Sequence, residues 1–196
     1  MATNGITGVI LAGGLSTRMG GEDKGLLQIN HKPLYRYVAD RLAPQVAVLM
    51  INANRNEDAY QHGGFPVVAD TFPGFAGPLA GMLTGLRLAN SEWVAFVPCD
   101  VPVFPHDLVA RLCENRQQAS AAFASDDKGH DHPTFTLLHR ALAPALEAFL
   151  RRGGRRVRLF LSTLPAQRVV FNASRYDFMN LNTPQDLDLW SHGQLP

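Results

Sequence analysis

The sequence predicts an α/β fold, a mainly parallel sheet with helices on both faces. Three observations carry that reading. Short apolar runs rich in β-branched residues alternate with helical patterns, as parallel strands joined by crossover helices require. Those helical patterns place apolar residues on one face, ready to cover a sheet. A glycine-rich, charged loop directly follows the first run, where open α/β sheets bind their ligands.

The elements follow in order. Ile6–Leu11 reads as a buried first strand. Leu34, Val38 and Leu42 share one helical face, and Val46–Asn52 and Phe65–Asp70 give the next two strands. Leu79, Met82, Leu83 and Leu86 keep the i, i+3, i+4, i+7 spacing of a helix. Trp93–Pro98 is the fourth strand, and Leu108, Val109 and Leu112 mark a helix after Pro105. Ser125 to Asp131 is polar and irregular, and reads as a surface loop near a working site. Pro133–Leu138 and Arg168–Phe171 are further strands, with helices over Leu142–Leu150 and Val157–Leu161. A last helix starts at Thr183 as N-cap, with Pro184 in first position and Asp186 three residues after the cap; Leu187 and Trp190 would dock it.

At 196 residues, without repeats or a long linker, the chain is expected to be one domain. A net charge of +1 excludes a dedicated nucleic-acid or membrane-surface binder. The two cysteines, Cys99 and Cys113, form no C-x-x-C pair, which argues against a metal cluster or disulfide framework. No basic, apolar leader and no run of membrane-spanning length occurs, so a cytoplasmic location is expected.

The loop Gly13-Gly14-Leu15-Ser16-Thr17-Arg18-Met19-Gly20-Gly21-Glu22-Asp23-Lys24 carries the chemistry. Its glycines let backbone N–H groups approach an anion closely. Arg18 offers a planar fork for phosphoryl oxygens and Lys24 a movable point charge. Four glycines, one Arg and one Lys within a dozen residues suit a triphosphate better than a monophosphate. Walker A is excluded because Lys24 is followed by Gly25, and the G-x-G-x-x-G fingerprint is excluded by the glycine spacing.

Other residues converge on the same edge. Asp100 ends the fourth run in Pro98-Cys99-Asp100 and is placed to hold Mg²⁺ (Mn²⁺ being an alternative), which takes one or two carboxylates plus substrate phosphates. The competing reading is a cap on the turn before Pro102. Asn52 and Asp70 end the second and third runs, and an amide at Asn52 offers donor and acceptor to a base edge. Gly77-Pro78-Leu79-Ala80-Gly81 opens a helix whose N-terminus favours an anion or a base acceptor, although Pro and Gly there also suit an ordinary helix start. Arg151, Arg152, Arg155, Arg156 and Arg158 form a basic cluster that serves equally as a solvated helix face. Asn180 and Asn182 would point to one side of a short strand. His130-Asp131-His132 lacks an evident third ligand for a metal, and with Thr134 reads as a substrate-side loop.

The pattern L-A-G-G-x-S-x-R-M-G-x-x-D-K resembles the signature loop of the molybdenum cofactor guanylyltransferases, the MobA type. The resemblance extends through Asn52-Ala53-Asn54, Gly77-Pro78-Leu79-Ala80-Gly81, Pro98-Cys99-Asp100, Asp131-His132-Pro133-Thr134 and Asn180-Leu181-Asn182-Thr183-Pro184. It implies a Rossmann-like nucleotidyltransferase fold, with the part up to about residue 100 binding GTP and the remainder a pterin substrate. It implies a GTP site of Leu11, Ala12, Gly13, Gly14, Lys24, Asn52, Asp70, Gly77, Gly81 and Asp100. Arg18, Lys24 and Asp100 would be the catalytic set, with Asp100 on the metal. Arg155, Arg156, Asn180 and Asn182 would meet molybdenum-loaded molybdopterin. The expected reaction transfers GMP to that pterin and releases pyrophosphate, with cofactor-insertion or chaperone proteins as further partners. A cytidylyltransferase on a related cofactor shares the loop and the aspartate; a GTP-binding assembly module without turnover is the reading from another class.

Overall fold

A computed structural model of the chain describes residues 5–13, 23–74, 76–172, 174, 177–181 and 186. Gly14, Arg18 and Asn182 lie outside the described residues, as do the Thr183 cap and the docking residues Leu187 and Trp190.

The order of elements is β1 (Ile6–Leu11), β2 (Gln28–Ile29), β3 (Lys32–Pro33), α1 (Leu34–Leu42), β4 (Val48–Asn52), α2 (Glu57–Gln61), β5 (Val67–Val68), α3 (Pro78–Leu88), β6 (Trp93–Pro98), α4 (Leu108–Asn115), β7 (Ala121–Asp126), β8 (Asp131–His139), α5 (Ala143–Arg151), α6 (Val157–Leu161) and β9 (Ala166–Phe171). Seven strands form one sheet in the order β5-β4-β1-β6-β8-β7-β9, and β2 and β3 form a separate hairpin. Within the large sheet only β8 runs against the others. The mainly parallel sheet expected from the sequence is therefore present, with one reversed strand inserted beside β6.

All six residues of β1 are buried, because the strand is covered on both faces. Ile6 and Ile10 point to one face, where Val38 and Leu42 of α1 and Leu108, Val109 and Leu112 of α4 pack. Val9 and Leu11 point to the other, against Leu79, Met82, Leu83 and Leu86 of α3, Leu146 and Leu150 of α5 and Phe160 of α6. Helices thus cover both faces. Burying each large aliphatic side chain stabilises the fold by about 1.5–3 kcal/mol, so these two layers supply the driving force for the sheet.

Several expected elements differ in extent. β5 is only Val67–Val68, because it is an edge strand held through Ile51 N–H to Pro66 O and Ala53 N–H to Val68 O. The stretch Ser125 to Asp131 is not one loop. Ser125 and Asp126 end β7, Asp131 starts β8, and only 127–130 turn between them. β7 escapes sequence reading because Ala121, Ala122 and Ala124 have weak strand preference, yet all three are fully buried. Residues 177–181 carry no strand, and Asn182, the other half of the expected alternation, lies outside the described residues.

α3 lies close to the sheet because Gly85 faces it. A Cβ there would sit 2.7 Å from Phe96 Cε1 and 3.0 Å from Val9 Cγ2. Gly85→Ala should overpack this interface and destabilise the protein by about 1–3 kcal/mol, read as a lower urea midpoint with an unchanged slope.

Candidate active site

The strand register brings four loops to one edge. Leu11 stands opposite Asn52 on β4 and Pro98 on β6, and Asn52 stands opposite Val68 on β5. Ala12 N–H donates to Asn52 O at 2.8 Å and Cys99 N–H to Leu11 O at 3.1 Å, which carries the pairing beyond the strands. Gly13, Asn54, Asp70 and Asp100 therefore leave the sheet together. The crossover from β1 leads to β4 on one side and that from β6 leads away on the other, so the crevice lies at the reversal of strand order.

Asp100 meets Lys24 here. Lys24 opens a single 3₁₀ turn over Lys24–Leu26, and its Nζ lies 3.4 Å from Asp100 Oδ2, with each side chain about one-fifth exposed. The turn is fixed by Asp23, a residue the sequence reading passed over. Its carboxylate accepts from Gly25 N–H at 3.3 Å, Tyr60 OH at 2.6 Å and Asn56 Nδ2 at 3.1 Å, with Arg55 Nε 3.7 Å away. Burial pushes the Tyr60 phenol far above its usual range and the hydrogen bond to Asp23 adds to this, so Tyr60 acts purely as a donor. Gly25 leaves room for it, since a Cβ there would lie on the Tyr60 hydroxyl. Cys99 is buried beneath the turn, and burial raises its thiol well above the ordinary value; it packs as a small hydrophobe.

On the β4 side, Asp70 is held by two amides. Asn52 Nδ2 donates to Asp70 Oδ1 at 2.9 Å and to Val68 O at 3.2 Å. Asn54 Nδ2 donates to Asp70 Oδ2 at 2.8 Å, while Asp70 N–H returns a bond to Asn54 Oδ1 at 2.7 Å. Both Asn52 donors are thus engaged, so the expected donor–acceptor surface reduces to its oxygen. Asn54 was missed although it sits two residues further on; its signal is the repeat of the amide in Asn52-Ala53-Asn54. It also reaches the carbonyl of Gly13 at 3.4 Å. Gly81 must lack a side chain, because a Cβ would collide with Asn52 Oδ1. Gly77 takes φ +67°, ψ −159°, a conformation that needs glycine, and starts α3 ahead of Pro78.

The residues expected to meet a second substrate are less tightly set. Leu181 N–H donates to Asp100 O at 3.0 Å, so exposed Asn180 flanks the Asp100 turn. Arg155 instead folds back, with Nη1 donating to Leu150 O at 2.8 Å and Gly154 O at 2.7 Å at the end of α5. Its carbonyl approaches Gly77, which brings the 154–156 bend to the start of α3. Arg156 is exposed as the N-cap residue of α6. Asp131, His132 and Thr134 lie in β8 rather than in a loop. Because β8 is reversed, its start falls on the same edge as the ends of the parallel strands. Among the described residues no group of three His, Cys, Asp or Glu is arranged to hold a metal, and no helix is long and apolar enough to cross a membrane.

Two outcomes test this geometry. Tyr60→Phe removes a donor from the nearly buried Asp23 carboxylate and should cost about 1.5–3 kcal/mol in urea denaturation. At the β7–β8 turn, burial would raise the Asp126 carboxyl, but hydrogen bonds from the His130 backbone and ring, with the His132 ring close by, outweigh it and hold the group at about 2. A depressed carboxyl contributes stability above its unfolded value and loses it as pH falls through the folded one. The Asp126 carboxyl resonance should therefore stay ionised from pH 7 to below 3 in an NMR titration; a midpoint near 4 would contradict these bonds.

Comparison with known proteins identifies the family. The MobA-like NTP transferase domain matches residues 8–167. A protein named molybdenum cofactor guanylyltransferase in Yersinia pseudotuberculosis serotype O:1b (strain IP 31758) is 56% identical over 185 residues, covering 94% of each chain. One of the same name in Yersinia pestis shows the same identity and coverage. Molybdopterin-guanine dinucleotide biosynthesis protein A from Archaeoglobus fulgidus shares the fold with a TM-score of 0.76 at 20% identity, over 96% of this chain and 98% of that one. The 2-C-methyl-D-erythritol 4-phosphate cytidylyltransferase of Thermus thermophilus shares it at 0.69 and 18% identity, over 95% and 97%. With a family model that matches residues 8–167, most of its length, the chain belongs to the MobA-like NTP transferases.

Proposed function

We propose that this enzyme transfers GMP from GTP to molybdenum-loaded molybdopterin, giving the guanine dinucleotide form of the cofactor and pyrophosphate. The observation that carries this reading is the Lys24–Asp100 pair at the reversal of strand order, beside the Asn52–Asp70–Asn54 cluster. The names of the 56%-identical relatives support the choice of substrates. Two free thiols, Cys99 and Cys113, support a reducing cytoplasmic setting.

A terminal phosphate oxygen of the pterin attacks the α-phosphorus of GTP, and the bond to the β-phosphate oxygen breaks. The attacking phosphate is already ionised, so no general base is needed. Catalysis is positioning and charge stabilisation. Lys24, with Arg18 assigned from the sequence, holds the β- and γ-phosphates. The chain's donor set suits Mg²⁺ or Mn²⁺: Asp100 offers a hard, partly exposed carboxylate, and phosphate oxygens and waters complete such a shell. Bound there, the ion would neutralise charge on the departing pyrophosphate. Asp70 faces the base side, where its remaining lone pairs and the Asn52 oxygen can accept from the N1–H and N2–H of guanine. Leu11, Ala12, Gly13, Gly14, Gly77 and Gly81 shape the walls. Arg155, Arg156, Asn180 and Asn182 are assigned to the pterin side; for Arg155 this requires release from its bond to Leu150 O.

The test is pyrophosphate release with each of GTP, CTP, ATP and UTP, with Mg²⁺, with and without molybdenum-loaded molybdopterin. Release with GTP only when the pterin is present is expected. Release with CTP would replace the substrate assignment, and tight GTP binding without turnover would replace the enzyme assignment. Asp100→Ala should lower turnover about 100-fold or more. Lys24→Ala should weaken both GTP binding and turnover.

A further inference from the structure

We propose that His132, stacked on Phe178, is a positioning residue for the second-substrate half of the site; this rests on the guanylyltransferase reading above. The His132 ring stacks face to face on Phe178, with centroids 4.5 Å apart and planes at 17°. Stacking fixes the position of the Phe178 ring but not by itself the backbone. That is fixed by other means: Phe178 takes φ +64°, which a bulky side chain adopts only when its surroundings hold it there. Phe178 is also wedged edge-on against Phe135 at 5.0 Å and Phe171 at 5.8 Å, and its N–H donates to Val103 O at 2.9 Å. Three residues on, Leu181 N–H reaches the carbonyl of Asp100. The segment between those two anchors carries Asn180.

His132 forms the lid of the Phe178 cage. Its side chain is four-fifths buried, and Nε2 stands 3.5 Å from Asp126 Oδ2 without a hydrogen-bond partner. Asp126 is immobilised in turn, accepting from His130 N–H at 2.8 Å, Lys128 N–H at 3.0 Å and His130 Nδ1 at 2.9 Å. The β7–β8 turn therefore sets a carboxylate beside the imidazole, and the imidazole closes over the aromatic anchor of the 177–181 segment. Neither His132 nor Asp126 touches the Lys24–Asp100 pair. The consequence is a separable effect: loosening His132 should blur Asn180 while leaving the triphosphate grip intact.

The test is steady-state kinetics of the full chain with GTP and molybdenum-loaded molybdopterin, beside direct GTP binding. His132→Ala should raise KM for the pterin about tenfold, with GTP affinity within twofold of the wild type. His132→Phe, which keeps the stack, should recover most of the loss, whereas His132→Leu, which fills the space without a flat ring, should not. Thermal melts identify any variant that fails to fold; if His132→Ala does, the comparison of Phe with Leu decides. An unchanged pterin KM in His132→Leu, or GTP affinity falling in step with it, would overturn the proposal. Absence of GMP transfer by the wild type would instead overturn the reading on which it rests.

Discussion

The site depends on β1 being gripped by parallel partners on both sides in flush register. Leu11 is level with Asn52 and Pro98, and the ladder continues through Ala12 and Cys99 before the chains diverge. Because side chains alternate with a period of two, a slip of one residue would exchange Ile10 and Leu11 between two separately packed cores. The hydrophobic pattern therefore fixes the register, and the register fixes which loops meet. Gly13, Asp70 and Asp100 are distant in sequence and share no motif. They become neighbours because four strands end on one line.

What happens past that line is governed by polar groups that hold one another. Asp23 and Asp70 each sit in a cradle of donors, and in both cases the side-chain donors come from residues 52–60. Asn54 binds Asp70, while Asn56 and Tyr60 bind Asp23. The stretch from Asn52 to Tyr60 thus braces two sides of the crevice at once, the turn that presents Lys24 and the carboxylate of Asp70. Buried carboxylates require such satisfaction, since an unpaired one would cost several kcal/mol. The bracing has a packing counterpart in Gly25 and Gly81, where any side chain would strike Tyr60 or Asn52.

Much of this was legible in the sequence. The first strand, α3, β6 and the strand-end positions of Asn52 and Asp100 follow from apolar runs and their terminators. The mainly parallel sheet with helices on both faces follows from their alternation. Other parts were not legible for physical reasons. β7 is written in alanine, which fits beneath a helix but has no strand signature. The reversal of β8 is a tertiary event, and without it Asp131 and His132 look like loop residues. Asp23 reads as one more charge in a charged loop until Tyr60, thirty-seven positions later, is seen donating to it. That the Arg155 guanidinium caps the end of α5 is not visible in the run of arginines either, because it depends on how the chain bends after α5.

The Lys24–Asp100 pair illustrates why its neighbours are held so firmly while it is not. Asp23 is about 6% exposed and has three donors; Lys24 and Asp100 are each about one-fifth exposed and stand 3.4 Å apart. A pair so close to solvent contributes about 0–1 kcal/mol, so separating the two charges costs little. On the function proposed above the site accepts a highly anionic substrate, and that weakness is then useful. Turning the ammonium toward phosphate oxygens and the carboxylate toward a cation would break no strong bond between the two. Fixed positions come from the backbone turn that Asp23 clamps and from the register of β6, while the working charges remain exchangeable. Rigidity sits one residue away from the chemistry, in Asp23 and Cys99, and leaves Lys24 and Asp100 to respond to what binds.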